Sequence, residues 1–125
     1  MTNIYFDFED GNGPVPAHQH SNGGGWVADT ATVADTAYVG RNAMVYDNAQ
    51  VSGNARVSDN ALVYGDAKVY GNVRVAGDAK VYGNAWVFDS AKVYGNAEVY
   101  GDAKVFGYAE VSGYAWVSGY AGVSG

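Results

Sequence analysis

The stretch ALVYGDAKVYGN, residues 61–72, contains two copies of one six-residue unit. The unit continues in both directions without insertion or deletion, with a valine at every sixth position from Val27 to Val123. From residue 31 onward, alanine stands two residues before each of these valines, and Val73 is the sole exception. A fixed internal period of this kind is the sequence signature of a repeat architecture.

Each unit divides into a short strand and a turn. The segment Ala-x-Val-Tyr alternates small apolar and variable residues, which places alanine and valine on one face of a β-strand. The two residues that follow, such as Gly65-Asp66 or Asp47-Asn48, favour turns because these residue types tolerate positive φ. The unit therefore predicts strands of about four residues joined by two-residue turns.

Hairpins and a solenoid are the two ways to join such strands. A meander of hairpins would place Val63 opposite Lys68 and Tyr64 opposite Ala67, so every face would mix apolar and charged side chains. In a solenoid each strand stacks in parallel on its copy one coil away, so valine lies on valine and alanine on alanine. The repeat therefore predicts a solenoid with a narrow core of small side chains.

The unbroken repeat resembles the hexapeptide-repeat proteins, which form left-handed parallel β-helices. The resemblance implies a triangular prism with three hexads per coil and supplies the left hand, which periodicity alone does not give. We therefore predict an all-β, single-stranded left-handed parallel β-helix of about 5.5 coils over residues 27–125. Residues 1–26 are predicted to form a short non-repeat N-terminal cap. Runs such as VYGNA, residues 81–85, look more narrowly like uncharacterised hexapeptide-repeat proteins of bacteria, prophages and phages.

Three hexads per coil sort the outward residues into columns on three faces. On the first face, four tyrosines follow the valines one coil apart, beside two large apolar residues. Exposed apolar patches rich in Tyr and Met often mark protein contacts, although stacked rings also stabilise a thin solenoid without any partner. The resemblance adds that many related β-helices are homo-oligomers, with a trimer as one state. We call these residues the candidate interaction surface; they are Met44, Tyr46, Leu62, Tyr64, Tyr82 and Tyr100. They form either a surface that contacts a partner or a ladder whose role is purely structural.

A column of like charges is predicted on the third face, where Arg56, Arg74 and Lys92 follow one another. Like charges one rung apart repel, so this stripe could bind a carboxylate or phosphate group. The alternative is that the long side chains extend into water or reach Asp59 and Asp78.

Three tyrosines replace the usual Asn or Asp at successive turns near residue 125. Their spacing of six residues places Tyr108, Tyr114 and Tyr120 on the three corners of one coil. This candidate C-terminal rim is either a collar that protects the end of the solenoid or a docking site for a partner or a second copy.

The segment before the repeat contains an alternating stretch around Phe6 and Phe8, which predicts one strand. We expect its apolar face to cover the open N-terminal end of the prism or to pair with another chain. His18 and His20 are the only histidines, and a His-x-His pair can bind a metal when a third ligand is near. A structural role in the cap is the simpler interpretation, so no metal site is predicted.

Composition narrows the classes of partner. The formal net charge is −6, which disfavours nonspecific nucleic-acid binding. The chain has no cysteine, so it has neither a disulfide nor a thiolate metal site. We find no signal peptide or membrane span in the sequence and expect a cytoplasmic location or a place on a phage virion.

The sequence predicts that the protein is not an enzyme. The resemblance implies that acyltransferases of this fold use a catalytic histidine and that its carbonic anhydrases use three around zinc. Residues 27–125 contain no histidine, so we predict no catalytic residue and no cofactor. The predicted function is a non-catalytic structural or protein-binding solenoid, self-associating or docking a protein, as in a phage or prophage accessory protein. The alternative is an acyltransferase-type enzyme that needs parts from another chain.

Overall fold

A computed structural model describes residues 4–125, which form strands and turns but no helix. Two strands precede the repeat, β1 (Tyr5–Asp7) and β2 (Pro14–Gln19). Seventeen strands of two or three residues then begin at six-residue intervals. They are β3 (Trp26–Ala28), β4 (Thr32–Val33), β5 (Tyr38–Val39), β6 (Met44–Val45), β7 (Gln50–Val51), β8 (Arg56–Val57), β9 (Leu62–Val63), β10 (Lys68–Val69), β11 (Arg74–Val75), β12 (Lys80–Val81), β13 (Trp86–Val87), β14 (Lys92–Val93), β15 (Glu98–Val99), β16 (Lys104–Phe106), β17 (Glu110–Val111), β18 (Trp116–Val117) and β19 (Gly122–Ser124).

The repeat strands form three parallel sheets, and each coil contributes one strand to each sheet. The first face contains β3, β6, β9, β12, β15 and β18; the second contains β4, β7, β10, β13, β16 and β19; the third contains β5, β8, β11, β14 and β17. Paired residues stand three hexads apart, as in Val63 with Val81 and Val81 with Val99. The predicted all-β solenoid is therefore confirmed, while the left hand of its winding stays a prediction.

The core is a column of valine and alanine side chains enclosed by the three sheets. Every repeat valine from Val39 to Val105 is at most 1% exposed. Val73 is also fully buried and takes its place in the alanine column. Since a buried valine contributes about 1.5–3 kcal/mol, the free energy of folding is shared among neighbouring coils rather than concentrated in one centre.

The turns bring consecutive coils into backbone contact. Gly65 has φ of 67°, and a Cβ added to it would lie 2.9 Å from the amide nitrogen of Gly83. Asp47, Asp59 and Asp89 occupy the same turn position with φ between 56° and 63°. Each of these carboxylates accepts a hydrogen bond from the glycine N–H one coil later, at 3.0–3.1 Å, which offsets the unfavourable backbone conformation.

The segment before the repeat is an antiparallel hairpin that extends the first face. β1 pairs with β2, and β2 pairs with β3. The predicted strand is confirmed, but the expectation that its apolar side covers the open end of the prism is wrong. Pairing with β3 continues the sheet, so Phe6 and Phe8 lie on the outer surface of the first face, where aromatic side chains offer more apolar contact than the narrow core. Residues 1–3 of the predicted cap lie outside the described residues.

The segment 20–25 covers the edge of the third face instead. The Gly25 N–H donates to the Val39 carbonyl at 2.9 Å, and the Val39 N–H donates to the Asn22 carbonyl at 3.0 Å. The side chains of His20 and Asn22 both donate toward the Ala37 carbonyl, at 2.8 and 3.2 Å. The N-terminal segment is thus anchored to two of the three faces.

Candidate interaction surface

The tyrosines of the first face form one continuous stack. Tyr46, Tyr64, Tyr82 and Tyr100 follow one another with ring centroids 4.8–5.0 Å apart and planes within 5° of parallel. This spacing is the distance between paired strands, so the backbone register alone places each ring on the next. Stacking of this kind adds about 0.5–1.5 kcal/mol per pair.

Phe8 extends the stack by one ring at the coil that lacks a tyrosine. Ala28 occupies the tyrosine position in that coil, and Phe8 from the hairpin lies 4.9 Å from the Tyr46 ring. Tyr46 is consequently only 5% exposed. The N-terminal part of the candidate interaction surface is therefore covered by the chain itself. The sequence could not predict this, because the hairpin lies outside the repeat and no period relates it to the columns.

The column beside the tyrosines changes from apolar to charged along the first face. Its members are Trp26, Met44, Leu62, Lys80, Glu98 and Trp116, in that order. Trp26 is covered by Phe6, with ring centroids 4.5 Å apart, and Met44 and Leu62 are partly buried. Glu98 accepts a hydrogen bond from the Tyr82 hydroxyl at 2.8 Å. The first face therefore remains open only from the coil of Leu62 onward.

Burial also changes the acidity of the stacked tyrosines. Desolvation is the largest cause that raises the pKa of Tyr46, with a smaller contribution from Tyr64. Desolvation likewise raises the pKa of Tyr82, and its hydrogen bond to Glu98 raises it further. Burial in the stack therefore favours the neutral, protonated form of Tyr46 and of Tyr82.

A second aromatic column lies on the second face, and the sequence reasoning did not single it out. Tyr70, Phe88 and Phe106 stack at 5.1 and 5.2 Å. Beside them Trp86 lies between two lysines, with the Lys68 and Lys104 ammonium groups 5.3 and 4.9 Å from its ring centroids. Counting three hexads per coil places these residues in one column, as it does for the tyrosines of the first face. The sequence alone could therefore have identified this second aromatic column.

The cationic column on the third face lies as predicted, with Arg56 paired to Arg74 and Arg74 paired to Lys92. None of the three forms a salt bridge within residues 4–125. Of the two alternatives, the side chains extend into water and do not reach Asp59 or Asp78. The Asp59 carboxylate accepts a hydrogen bond from the Gly77 N–H, and Asp78 accepts one from Asn60. Arg56 instead lies over the Tyr38 ring, 5.2 Å from its centroid.

The three tyrosines of the C-terminal rim stand at successive turns, between β16 and β19. Tyr108, Tyr114 and Tyr120 are 79%, 82% and 91% exposed, and the neighbouring Trp116 is 68% exposed. No aromatic stacking pair in the described part of the chain includes any of them. Both roles considered for these tyrosines, a collar that protects the end of the solenoid and a docking rim for a partner, stay predictions.

The two histidines take part in the N-terminal hairpin and its connection to the repeat. The His18 Nδ1 atom lies 2.7 Å from a carboxylate oxygen of Asp29, and His20 is buried against the Ala37 carbonyl. Across residues 4–125 no three His, Asp or Glu side chains are grouped so that they could hold a metal ion. The same residues include no helix long and apolar enough to span a bilayer.

Comparison with known proteins supports the repeat architecture. A family model described as the YdcK β-solenoid repeat matches residues 49–65 and, overlapping them, residues 55–68. No curated protein and no solved structure matches the chain. The matched residues lie within the hexad repeat, and the description of the family names no substrate or partner.

Replacing Phe8 with alanine tests whether the hairpin depends on the aromatic stack. Loss of a buried phenylalanine costs about 3–5 kcal/mol, so we expect hydrogen exchange of the β2 amides to show a loss of protection of that order. Tyr5→Ala is the matched control, because Tyr5 is 56% exposed on the same hairpin and surface changes usually stay within about 0.5 kcal/mol. Equal effects of the two substitutions would contradict the stacking role of Phe8.

The raised pKa values of Tyr46 and Tyr82 predict a loss of stability at alkaline pH. An unfolded tyrosine ionises near pH 10, whereas these stay protonated in the folded protein, so their contribution is complete below about pH 10 and declines above it. We expect the Tm to fall above that pH, and to fall less steeply in Tyr82→Phe. Thermal unfolding between about pH 8 and 12 measures this, and identical slopes for both proteins would contradict it.

Proposed function

We propose that this protein is a non-catalytic structural β-solenoid that binds a second copy of itself through the open part of its first face. We call this area the first-face surface; it comprises Leu62, Tyr64, Lys80, Tyr82, Glu98, Tyr100 and Trp116. The observation that supports the proposal best is that this surface is complementary to itself in charge. Two expectations about the protein remain predictions: its location, in the cytoplasm or on a phage virion, and its similarity to phage accessory proteins.

The charge pattern of the first-face surface suits a two-fold dimer. Lys80 and Glu98 are neighbours in one column, and Lys80 forms no salt bridge within the described residues. A two-fold axis parallel to the strands and passing between these two coils would place Lys80 of each copy opposite Glu98 of the other. Such isologous contacts use the same patch twice, and complementary charge fixes their register.

The apolar residues fit the same axis. The four coils that the hairpin leaves open carry Leu62, Lys80, Glu98 and Trp116 in one column, and the axis lies at their centre. Leu62 would therefore face Trp116 of the second copy, and Tyr82 would face its Tyr100. Trp116 is two-thirds exposed in the single chain, so this contact would bury it.

The rigidity of the ladder also favours binding. The rings of Tyr64, Tyr82 and Tyr100 are held by stacking, and the Tyr82 hydroxyl is held by Glu98. Side chains that are already ordered lose little conformational entropy on association. Tyrosine combines an apolar ring with a polar hydroxyl, which suits a surface that must be soluble alone and buried in a complex.

Two charge reversals test the dimer. Lys80→Glu and Glu98→Lys each give a surface with two like charges, so each variant alone should be monomeric, because like-charge contacts cost several kcal/mol. An equimolar mixture of the two should recover the dimer. Light scattering should give wild type twice the chain mass of 13.1 kDa.

Lys92→Glu is the matched control, because it makes the same charge change on the third face and should leave the dimer intact. A monomeric wild type at about 100 µM, a concentration far above the Kd of a specific interface, would contradict the proposal. So would a mixture that stays monomeric while both variants remain folded. If the protein were an acyltransferase, acyl-CoA compounds would raise its Tm. Neither histidine of the chain lies on the repeat, so the repeat offers no catalytic histidine for that reaction.

A further inference from the structure

A groove runs along the third face beside the cationic column, and it shares no residue with the first-face surface. It consists of two cavities, with volumes of about 400 and 340 Å³. Arg74 and Ala76 line both cavities, so the two are adjacent at the middle of the column. Ser58 and Ala76 are small and leave space beside the cations, whereas the large Tyr94 follows them one coil later. We call the two cavities together the third-face groove.

The cations that line the third-face groove have no anionic partner within residues 4–125. Arg56, Arg74 and Lys92 are three of the seven lysines and arginines of a chain whose net charge is −6. Lys92 is in register with Glu110, but the Glu110 carboxylate accepts a hydrogen bond from the Tyr94 hydroxyl at 2.9 Å. Like charges on neighbouring strands, about 4.8 Å apart, repel one another. An anion bound beside the column would relieve this repulsion.

The turn beside Arg74 and Lys92 supplies a backbone donor, which is a second and independent feature. In three other turns an aspartate carboxylate accepts the glycine N–H of the next coil, as Asp59 does from Gly77 at 3.0 Å. Gly77 has no side chain to offer in the same way, and the Gly95 N–H makes no hydrogen bond within the described part of the chain. A position that elsewhere in this protein holds a carboxylate oxygen is therefore open here, in the cavity that two cations line.

The donors of the larger cavity favour phosphate over carboxylate. The Arg74 guanidinium, the Lys92 ammonium and the Gly95 N–H are three separate donor groups in one cavity. A carboxylate has two oxygens, whereas a terminal phosphate group has three strong acceptor oxygens. Arginine also binds phosphate through two parallel hydrogen bonds. One phosphate group can therefore accept from all three donors at once.

The smaller cavity supplies a second set of donors in line with the first. Arg56, Arg74 and the Ser58 hydroxyl line it, and the Arg56 guanidinium lies over the Tyr38 ring, 5.2 Å from its centroid. Among residues 4–125 Asp59 is the one acidic side chain that lines either cavity, and its carboxylate already accepts a backbone N–H. Two donor sets that share Arg74 match a ligand with two or more phosphate groups in a row.

We propose that the third-face groove binds an oligophosphate, either as an inorganic chain or as the phosphate chain of a nucleotide. One phosphate group lies between Arg74 and Lys92 and accepts the Gly95 N–H. Another lies between Arg56 and Arg74. Because the groove and the first-face surface lie on different faces, the site does not depend on the proposed dimer.

Calorimetric titration of the full chain with tripolyphosphate tests the site. We expect one saturable site per chain and at least about fivefold weaker binding in Arg74→Gln, which removes the cation shared by both cavities. Lys104→Gln is the matched control, because Lys104 is an exposed cation on the second face, outside the groove. It should leave the affinity unchanged. Absence of saturable binding, or equal weakening by the two substitutions, would overturn the site.

Two further ligands identify the chemical class. Citrate, which carries three carboxylates, should bind more weakly than tripolyphosphate, and equal affinity would contradict the assignment to phosphate. Adenosine triphosphate distinguishes the two sources of the chain. Tighter binding than that of tripolyphosphate would assign a nucleotide, and equal or weaker binding would assign the phosphate chain alone.

A substitution in the turn tests where the phosphate lies. Gly77→Asp adds a carboxylate at the open Gly95 N–H, as Asp59 does one coil earlier, and should abolish tripolyphosphate binding. Gly65→Asp is its matched control, because Gly65 has the same φ of 67° in a turn outside the groove. Both variants should change the Tm equally, and only the first should lose binding. Undiminished binding in Gly77→Asp, or equal loss in both variants, would refute the site at this turn.

Discussion

Backbone hydrogen bonds between neighbouring coils determine where every side chain of the repeat lies. The Lys80 and Tyr82 N–H groups donate to the Ala97 and Val99 carbonyls at 3.0 Å, and the same pattern recurs along the prism. Because the register is three hexads throughout, each residue stacks on its counterpart one coil away. The narrow core follows from this constraint, since only small side chains fill a prism of three short strands per coil.

The same constraint makes the outer surface a set of columns in which like residues meet. It favours aromatic rings, which stack at the strand spacing on both the first and second faces. It disfavours like charges, yet Arg56, Arg74 and Lys92 stand in one column without a salt bridge in the described chain. The features that are particular to this protein therefore occur where the residue type changes along a column, as between Lys80 and Glu98, or where the hairpin meets the solenoid.

The sequence alone allowed the solenoid, its strand positions and its outward columns to be predicted, because all of them follow from one period. Val73 could be placed in the core for the same reason. Phe8 could not be placed on Tyr46, since the hairpin has no period that relates it to the coils. The position of residues 20–25 along the edge of the third face could not be predicted either, because it depends on the pairing of β2 with β3.

The aspartates show a middle case. Asp47, Asp59 and Asp89 were expected in turns, and their positive φ follows from sharing a position with glycine. Of their carboxylates, only that of Asp59 was considered as a partner, for the cationic column; all three instead accept hydrogen bonds from backbone N–H groups of the next coil. Only three-dimensional stacking brings those N–H groups within reach.

Disulfide formation between introduced cysteines tests the number of residues per coil most directly. The chain contains no cysteine of its own, so only the introduced pair can form a disulfide. Ser58 and Ala76 follow the paired valines Val57 and Val75, and stacked strands bring such residues within the 4.4–6.8 Å Cα distance that a disulfide needs. Ser58→Cys with Ala76→Cys should oxidise readily, whereas Ser52→Cys with Ser58→Cys, one hexad apart on different faces, should not. Oxidation of the second pair but not the first would contradict a solenoid of three hexads per coil.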